Sequence, residues 1–366
     1  MKKIISVVGA RPNFIKIAPV YRAFLPHRDS VIHKICHTGQ HFDANMSKIF
    51  FEELEIPEPD FNLGIHGGSH SRQVAGIMTA FEEVLLTEKP DLILVPGDVN
   101  STMAATLVAS KMGIPVGHIE SGLRSFDRTM PEEINRMVTD ILSEMLFVSE
   151  PSGLKNLEHE GIGKEKIHFV GNVMIDSLVH YLPKIERSDI LDHIGDDPSL
   201  ITPGNYVLCT FHRPSNVDNP DTLARLLKML RALPAPVVFP VHPRTKNNME
   251  QHGLLKDLPA NLILTTPIGY IDFLALVKQA ALVITDSGGI QEETTFLGVQ
   301  CITVRDNTER PVTVEVGTNQ LIGTDFKKVE EAAGKVLAGD RKEGTIPDLW
   351  DGHTAERIVR IVMQNI

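Results

Sequence analysis

The feature that most restricts this chain is a rhythm, in which short β-rich apolar runs alternate with longer amphipathic ones from end to end. In the first half, Ile4–Val8, Ile32–His37, Leu92–Pro96, Val116–Ile119, Met145–Val148 and Ile167–Val170 predict strands. Several are apolar throughout, the pattern of strands covered on both faces in a parallel sheet. Between them, amphipathic patterns predict helices over Asn13–Phe24, Gln73–Thr87, Thr102–Met112, Glu132–Ser143 and Gly153–Glu160. Strand and helix joined by short connections make βαβ units and a doubly wound sheet. The second half repeats the rhythm. Its strands are Tyr206–Thr210, Val237–Val241, Leu262–Thr265, Leu282–Thr285 and Cys301–Val304, and its helices include Asp221–Ala232, Ile271–Gln279 and Ile290–Leu297. A Pro-, Asp- and Gly-rich stretch, Leu182–Asn205, separates the halves, with a hinge expected near Gly171–Asp176. The expected architecture is α/β, two Rossmann-like domains facing a cleft, over residues 1–172 and 173–352. The closing amphipathic helix lies within 353–366.

The length of 366 residues accommodates two domains of about 100–200 residues each. A net charge of -11 repels nucleic acid and anionic lipid, so a phosphate ligand would have to be held by a few convergent basic residues. Neither nucleic acid nor membrane is expected as a partner. Cys36, Cys209 and Cys301 lie far apart, in or beside apolar runs, and read as buried free thiols of a reducing cytoplasm. The opening MKKIISVVGARPN has about five apolar residues before Gly9, fewer than the ~7–15 of a signal-peptide core, and reads as a first buried strand. No apolar run approaches the ~18–20 residues of a membrane span.

Ligands of open α/β sheets collect at the carboxyl ends of strands. After the first strand comes Gly9-Ala10-Arg11-Pro12-Asn13-Phe14-Ile15-Lys16. Here a helix start offers amide donors, and Arg11 and Lys16 either meet one anion or are two solvated charges. Asp98, in Gly97-Asp98-Val99-Asn100, either caps a helix or serves a site. Glu120 ends the next strand in Glu120-Ser121-Gly122-Leu123-Arg124. Glu132 opens a helix in Pro131-Glu132-Glu133-Ile134-Asn135-Arg136, where an acid is also a routine dipole partner. Three carboxylates at neighbouring strand ends supply metal ligands or acid/base groups.

In the second half, His212-Arg213 and His242-Pro243-Arg244 follow strands, a placement that can pair a phosphate with a proton donor. Asp286-Ser287-Gly288-Gly289-Ile290-Gln291-Glu292-Glu293 runs from strand into helix. The Ser287 hydroxyl and the amides of Gly288 and Gly289 can line a diphosphate site, and Glu293 can accept both hydroxyls of a ribose. Arg310 follows the next strand and can reach the same pocket. The pairs His37/His41 and His66/His70 contain glycines between the histidines, so neither is a helical metal face. No Gly-x-Gly-x-x-Gly follows the first strand. No metal and no cofactor are expected.

Together these motifs resemble the non-hydrolysing UDP-N-acetylglucosamine 2-epimerases. The resemblance rests on Gly9–Pro12 with Lys16, Thr38–His41, Gly97-Asp98, His118–Arg124, Pro131–Arg136, Gly171-Asn172, His212-Arg213, Asp286–Glu293 and Arg305–Pro311, in order along nearly the whole chain. It implies a GT-B fold whose last helix crosses back to the first domain, UDP binding by the second domain, and a homodimer. By motif position it places Asp98, Glu120 and Glu132 in the acid/base set and His212 against the diphosphate or glycosidic oxygen. Arg11, Lys16, Arg136, Arg213, His242, Ser287, Gly288, Gly289, Glu293 and Arg310 become substrate ligands, and Phe273 matches a uracil-packing position. Some relatives bind a second UDP-sugar as activator, for which Gln40, Arg72, Gln73, Arg213 and His242 would match, with Asp43 in place of an amide. Segment Thr38–Met46 is also similar to that of relatives acting on UDP-2,3-diacetamido-2,3-dideoxy-glucuronic acid. The implied activity is C2 epimerisation of UDP-N-acetylglucosamine, a step that supplies cell-surface polysaccharide precursors. A retaining glycosyltransferase, a hydrolysing epimerase and a nucleotide-sugar sensor are the competing readings.

Overall fold

Runs that are apolar at every residue have no face to give to water, and in both halves they assemble into sheets whose strands are all parallel and covered by helices. The computed structural model describes residues 1–39, 53–195, 197–256 and 258–366. It divides into two units, one of Met1–His180 with Asp348–Ile366, the other of Tyr181–Pro347.

Among the described residues, the first unit contains β1 (Lys2–Val8), β2 (Val31–His37), β3 (Phe61–Asn62), β4 (Leu92–Pro96), β5 (Val116–Ser121), β6 (Met145–Val148) and β7 (Ile167–Phe169), in the order β3-β2-β1-β4-β5-β6-β7. The second contains β8 (Val207–Thr210), β9 (Val237–Pro240), β10 (Leu262–Thr265), β11 (Leu282–Thr285), β12 (Cys301–Thr303) and β13 (Asn319–Leu321), in the order β10-β9-β8-β11-β12-β13. Both orders reverse direction once, between β1 and β4 and between β8 and β11. This is Rossmann-like doubly wound topology, and each reversal opens a crevice at the strands' carboxyl ends.

The helices of the first unit are α1 (Arg11–Phe24), α2 (His70–Glu88), α3 (Asn100–Lys111), α4 (Pro131–Leu142), α5 (Pro151–His159) and α6 (Val173–Ile185), the last running on into the second. The second unit continues with α7 (Pro220–Ala232), α8 (Pro243–Gln251), α9 (Tyr270–Gln279), α10 (Gly288–Leu297) and α11 (Phe326–Leu337). Several helices begin at a proline placed in the first turn, where the missing N–H costs nothing. The hinge expected near Gly171–Asp176 is not a break: α6 occupies it from Val173 onward, and the division between units falls later, after His180.

One core layer of the first unit packs Ile5, Val7, Ile93 and Val95 of the sheet against Phe81 and Leu85 of α2 and Ala105 and Ala109 of α3. In the second, Val207, Cys209, Leu282 and Ile284 pack against Leu223, Leu226 and Leu227 of α7 and Val329 and Ala333 of α11. All three cysteines are buried and free. The closing helix α12 (Thr354–Asn365) is part of the first unit, where the Asp176 carboxylate accepts from the amides of Thr354 (3.1 Å) and Ala355 (2.6 Å). Just before it, the buried Trp350 indole donates to the Ser149 carbonyl at 2.9 Å. No helix among the described residues is long and apolar enough to cross a membrane.

Candidate active site

In the first unit the crevice lies where β1 and β4 end. Asn13 joins the two strand ends: its Oδ1 accepts from the amides of Gly9 (3.1 Å) and Ala10 (3.0 Å), and its Nδ2 donates to the Pro96 carbonyl (3.0 Å). Lys16, one turn along α1, is buried with Nζ 2.6 Å from Glu120 Oε2. The anion that Lys16 meets here is therefore the protein's own carboxylate, whereas Arg11 lies exposed at the first residue of α1. Gly97 makes room for this contact. Its φ is +67°, and a Cβ there would fall 2.9 Å from Lys16 Nζ.

Glu120 sits at an irregularity of β5. Ile119 pairs with Phe147 and Ser121 with Val148, so Glu120 is the extra residue of a β-bulge, and its φ is +72°. A non-glycine residue in this region costs about 1–3 kcal/mol and persists only where its surroundings hold it. Asp98 follows the neighbouring strand β4, whose end is tied to β5 by the Gly97 amide donating to the Ile119 carbonyl at 2.9 Å. The Arg136 guanidinium donates to Asp98 Oδ2 through Nε (3.0 Å) and Nη2 (2.8 Å), and Asn135 Nδ2 donates to the Asp98 carbonyl (2.8 Å). These bonds bring the first turns of α4 to the end of β4. Glu132, in the first turn of α4, is half-buried, and its side chain makes no hydrogen bond or ion pair with the described residues. Its neighbour Glu133 is structural. It is buried and accepts from Ser125 N (2.8 Å), Ser125 Oγ (2.9 Å), Phe126 N (3.0 Å) and Arg136 Nη1 (2.6 Å).

Behind these groups lies a buried aspartate. Asp140 Oδ1 is 2.6 Å from His118 Nδ1, and Oδ2 accepts from the Gly122 amide (3.1 Å) and lies 2.7 Å from Arg124 Nη1. Burial pushes the Asp140 carboxyl up, but His118 and Arg124 outweigh it and hold it below the usual range. Arg124 also makes a two-pronged contact with Glu160, Nε to Oε1 at 2.7 Å and Nη2 to Oε2 at 2.6 Å.

The second unit has its own crevice at the ends of β8 and β11, and a second buried aspartate spans it. Asp286 is 0% exposed. It accepts from the amides of His212 (3.2 Å) and Arg213 (3.0 Å) and from Asn216 Nδ2 (2.9 Å), and Oδ1 lies 2.8 Å from His212 Nδ1. Burial raises this carboxyl, but the bond to His212 prevails and lowers it. The His212 side chain is 61% exposed: one ring nitrogen is engaged and the rest of the ring faces outward. Arg213 Nε donates to the Asp286 carbonyl at 3.3 Å.

Ser287 is the N-cap of α10, without a side-chain capping bond, and Gly288 and Gly289 form the helix's first turn. The Arg310 guanidinium lies directly over Gly288, where a Cβ would fall 2.6 Å from Nη1. Arg310 is not an isolated cation: Nε is 2.9 Å from Glu292 and Nη1 2.6 Å from Glu309. Glu293 is buried on the same helix and accepts from the Tyr270 hydroxyl at 3.2 Å. Burial pushes its carboxyl up to about 8, with Glu292 adding to the rise and the Tyr270 bond opposing it. Phe273 is partly buried one turn along α9, against the layer of Leu276, Val283 and Ile290. His242 is exposed after β9.

The structure thus gathers Asp98, Glu120, Glu132, Lys16 and Arg136 at one sheet end, and His212, Arg213, Ser287, Gly288, Gly289 and Arg310 at the other. Glu293 faces Tyr270 in the same unit. Arg11 and His242 are exposed beside these groups. Of the further ligands considered for a second UDP-sugar, Gln73 accepts from Asn100 Nδ2 at 2.6 Å, Arg72 is exposed in the first turn of α2, and Gln40 and Asp43 lie outside the described residues, as does His41. Sequence reasoning missed the anchoring roles of Asp140, Asp286 and Glu133. Asp286 and Glu133 lie inside motifs already singled out, whereas Asp140, in mid-helix, carries no strand-end signal.

A family model described as UDP-N-acetylglucosamine 2-epimerase matches residues 25–363. The chain is 42% identical to the UDP-N-acetylglucosamine 2-epimerase of Methanococcus maripaludis, over 99% of this chain and 98% of that protein. It is also 42% identical to the UDP-2,3-diacetamido-2,3-dideoxy-D-glucuronate 2-epimerase of Pseudomonas aeruginosa, over 92% of this chain and 94% of that one. The crystal structure of Methanocaldococcus jannaschii UDP-GlcNAc 2-epimerase in complex with UDP-GlcNAc and UDP superposes with a TM-score of 0.89 at 41% identity, covering 100% of both chains.

Proposed function

The chain belongs to the UDP-N-acetylglucosamine 2-epimerase family, and from that premise we propose that it interconverts UDP-N-acetylglucosamine and UDP-N-acetylmannosamine by eliminating UDP and adding it back. The observation that carries this reading is the gathering of Asp98 and Glu120 at adjoining ends of one sheet, with Glu120 held in a strained bulge and Glu132 on the helix that Arg136 ties to Asp98. The C2 proton of an N-acetylhexosamine is not acidic, because no adjacent carbonyl stabilises a carbanion. Breaking the C1–O bond changes that: the anomeric carbon becomes oxocarbenium-like as UDP departs. A carboxylate then takes the C2 proton, leaving 2-acetamidoglucal, and UDP carries away the electron pair of the C1–O bond. Delivering a proton to the opposite face of C2 while UDP re-adds at C1 gives the epimer. Two faces need two proton-handling groups, which a cluster of acids provides.

Lys16 and Arg136, each already bonded to one of these acids, set the charge balance around them and act as ligands to the sugar. His212 stabilises the departing diphosphate, with Asp286 fixing its Nδ1 so that Nε2 is presented outward. The amide end of α10, with Ser287, Gly288, Gly289 and Arg310, holds the diphosphate. Glu293 takes the ribose, Phe273 packs the uracil, and Arg11, Arg213 and His242 complete the anion ligands. The protein is a cytoplasmic homodimer on this reading, which light scattering of the purified chain tests.

The Pseudomonas aeruginosa relative, as similar as the Methanococcus maripaludis one, supports a second reading in which the sugar is a diacetamido uronic acid. Incubating the protein with each UDP-sugar and resolving UDP-sugars, UDP and free sugar decides between them. UDP-N-acetylmannosamine from UDP-N-acetylglucosamine, without net UDP release, is expected. Stoichiometric UDP and free N-acetylmannosamine would mean a hydrolysing enzyme, turnover of the diacetamido sugar alone the second reading, and binding without conversion a sensor.

A further inference from the structure

We propose that Asp140 is a positioning residue that sets both Glu120 and the Asp98 turn for proton transfer; this rests on the reading above. Three residues of one stretch, His118, Gly122 and Arg124, converge on its one carboxylate. Oδ1 meets His118 and Oδ2 meets the Gly122 amide, so the residues two before and two after Glu120 are pinned by the same group. Between these two anchors lies the bulge, with Glu120 at φ +72°. The strain at Glu120 would relax by rotating its flanking peptides toward the extended region, and that rotation carries the Gly122 amide away from Oδ2. The second arm runs through the imidazole, whose Nε2 lies 2.8 Å from the carbonyl of Gly97, the residue before Asp98. One carboxylate therefore adds a second tie between the ends of β4 and β5, beside the bond from the Gly97 amide to the Ile119 carbonyl.

A bond to Arg124 alone would make Asp140 an ordinary buried ion pair. Arg124, however, is already matched by the two oxygens of Glu160, so its charge does not require Asp140. What Asp140 adds is the pair of bonds that bracket Glu120.

The test is a double-mutant cycle on the full chain. Asp140→Asn should lower kcat for UDP-sugar epimerisation about 30- to 100-fold, within the range of a misaligned proton-transfer group. UDP affinity should stay within about threefold of wild type. In a Glu120→Gln background the same change should cost several-fold less than in wild type, because the part of its effect that acts through Glu120 is already lost and only the arm to the Asp98 turn remains. A full independent loss in that background, or a folded Asp140→Asn protein with near-normal kcat, would overturn the assignment. If Asp140→Asn does not fold, His118→Asn keeps a donor toward Asp140 and removes the arm to Gly97, and it should be non-additive with Asp98→Asn; full additivity there would overturn the assignment equally. A crystal structure of the folded variant reads the same claim without turnover and so separates it from the choice of substrate. Glu120 leaving the left-handed region in Asp140→Asn, or the Gly97 carbonyl shifting in His118→Asn, is expected. An unmoved Glu120 or Gly97 would contradict it.

Discussion

Each unit places one fully buried aspartate behind the carboxyl ends of its central strands, and each aspartate meets the Nδ1 of a histidine. The two arrangements then part ways. His118 is buried, and its second ring nitrogen is spent on the Gly97 carbonyl, so the Asp140 network closes on itself and serves as a frame. His212 is 61% exposed, and its Asp286 anchor leaves the rest of the ring outward. The same pair of side chains makes a scaffold where the histidine lies within a strand, and a presented group where it lies one residue into a loop. The first arrangement thereby holds the ends of β4 and β5 in place, and the second leaves a polar group exposed.

The largest expected effect tests the first half of that contrast. Asp98→Asn, Glu120→Gln and Glu132→Gln should each lower kcat by about 10²–10⁴-fold, the usual contribution of a proton-transferring group. UDP affinity, measured by calorimetry, should hold if these acids serve the sugar as proposed. A variant that loses UDP binding in step with activity would blur the division. The second half predicts a graded pair. His212→Asn should cost about 10²-fold in turnover, as for loss of one donor to a developing charge. Asp286→Asn, which loosens the ring and weakens the bonds to the His212 and Arg213 amides, should cost roughly 10-fold. Equal losses would mean that Asp286 does more than orient.

Next in size is Glu293. Its removal in Glu293→Ala should weaken UDP by about 1–3 kcal/mol, the cost of leaving buried hydrogen-bonding groups without their partner, and unchanged affinity in a folded variant would remove it from the ribose site. Its ionisation also bears on stability. The native carboxyl, raised by burial to about 8, keeps a proton that the unfolded chain gives up above the ordinary value of 4.5. The unfolded state then binds fewer protons than the native state, so stability falls as pH rises between those two values. Glu293→Gln removes this dependence, and its melting temperature relative to wild type should rise from pH 5 to pH 8; a constant difference would refute the buried, proton-holding description. The smallest expected effect is none at all: protein treated with EDTA and given no nicotinamide should keep its activity, and loss restored by one divalent ion would contradict that.

Most of the sheets could be read from the sequence because central parallel strands are apolar on both faces, as Leu92–Pro96 and Leu282–Thr285 are. The edge strands β3 and β13 escaped notice. Phe61–Asn62 is two residues long, and Asn319–Leu321 is polar at two of its three positions, so neither leaves a periodic trace. Helix α6 hid behind Pro183, and α8, Pro243–Gln251, has one apolar residue, Met249, after its opening proline. Strand-end acids were visible in the same way as the strands. The left-handed bulge at Glu120 was not, since the bonds that bracket it come from Asp140, remote in sequence and indistinguishable there from a solvated charge of α4.

By the proposed elimination route the C2 hydrogen leaves the sugar during turnover. Epimerisation run in D₂O and followed by NMR and mass spectrometry tests it directly. One deuterium is expected at C2 of the UDP-N-acetylmannosamine formed, with gradual appearance in the returning UDP-N-acetylglucosamine. Epimer that retains its original C2 hydrogen through many turnovers would contradict it.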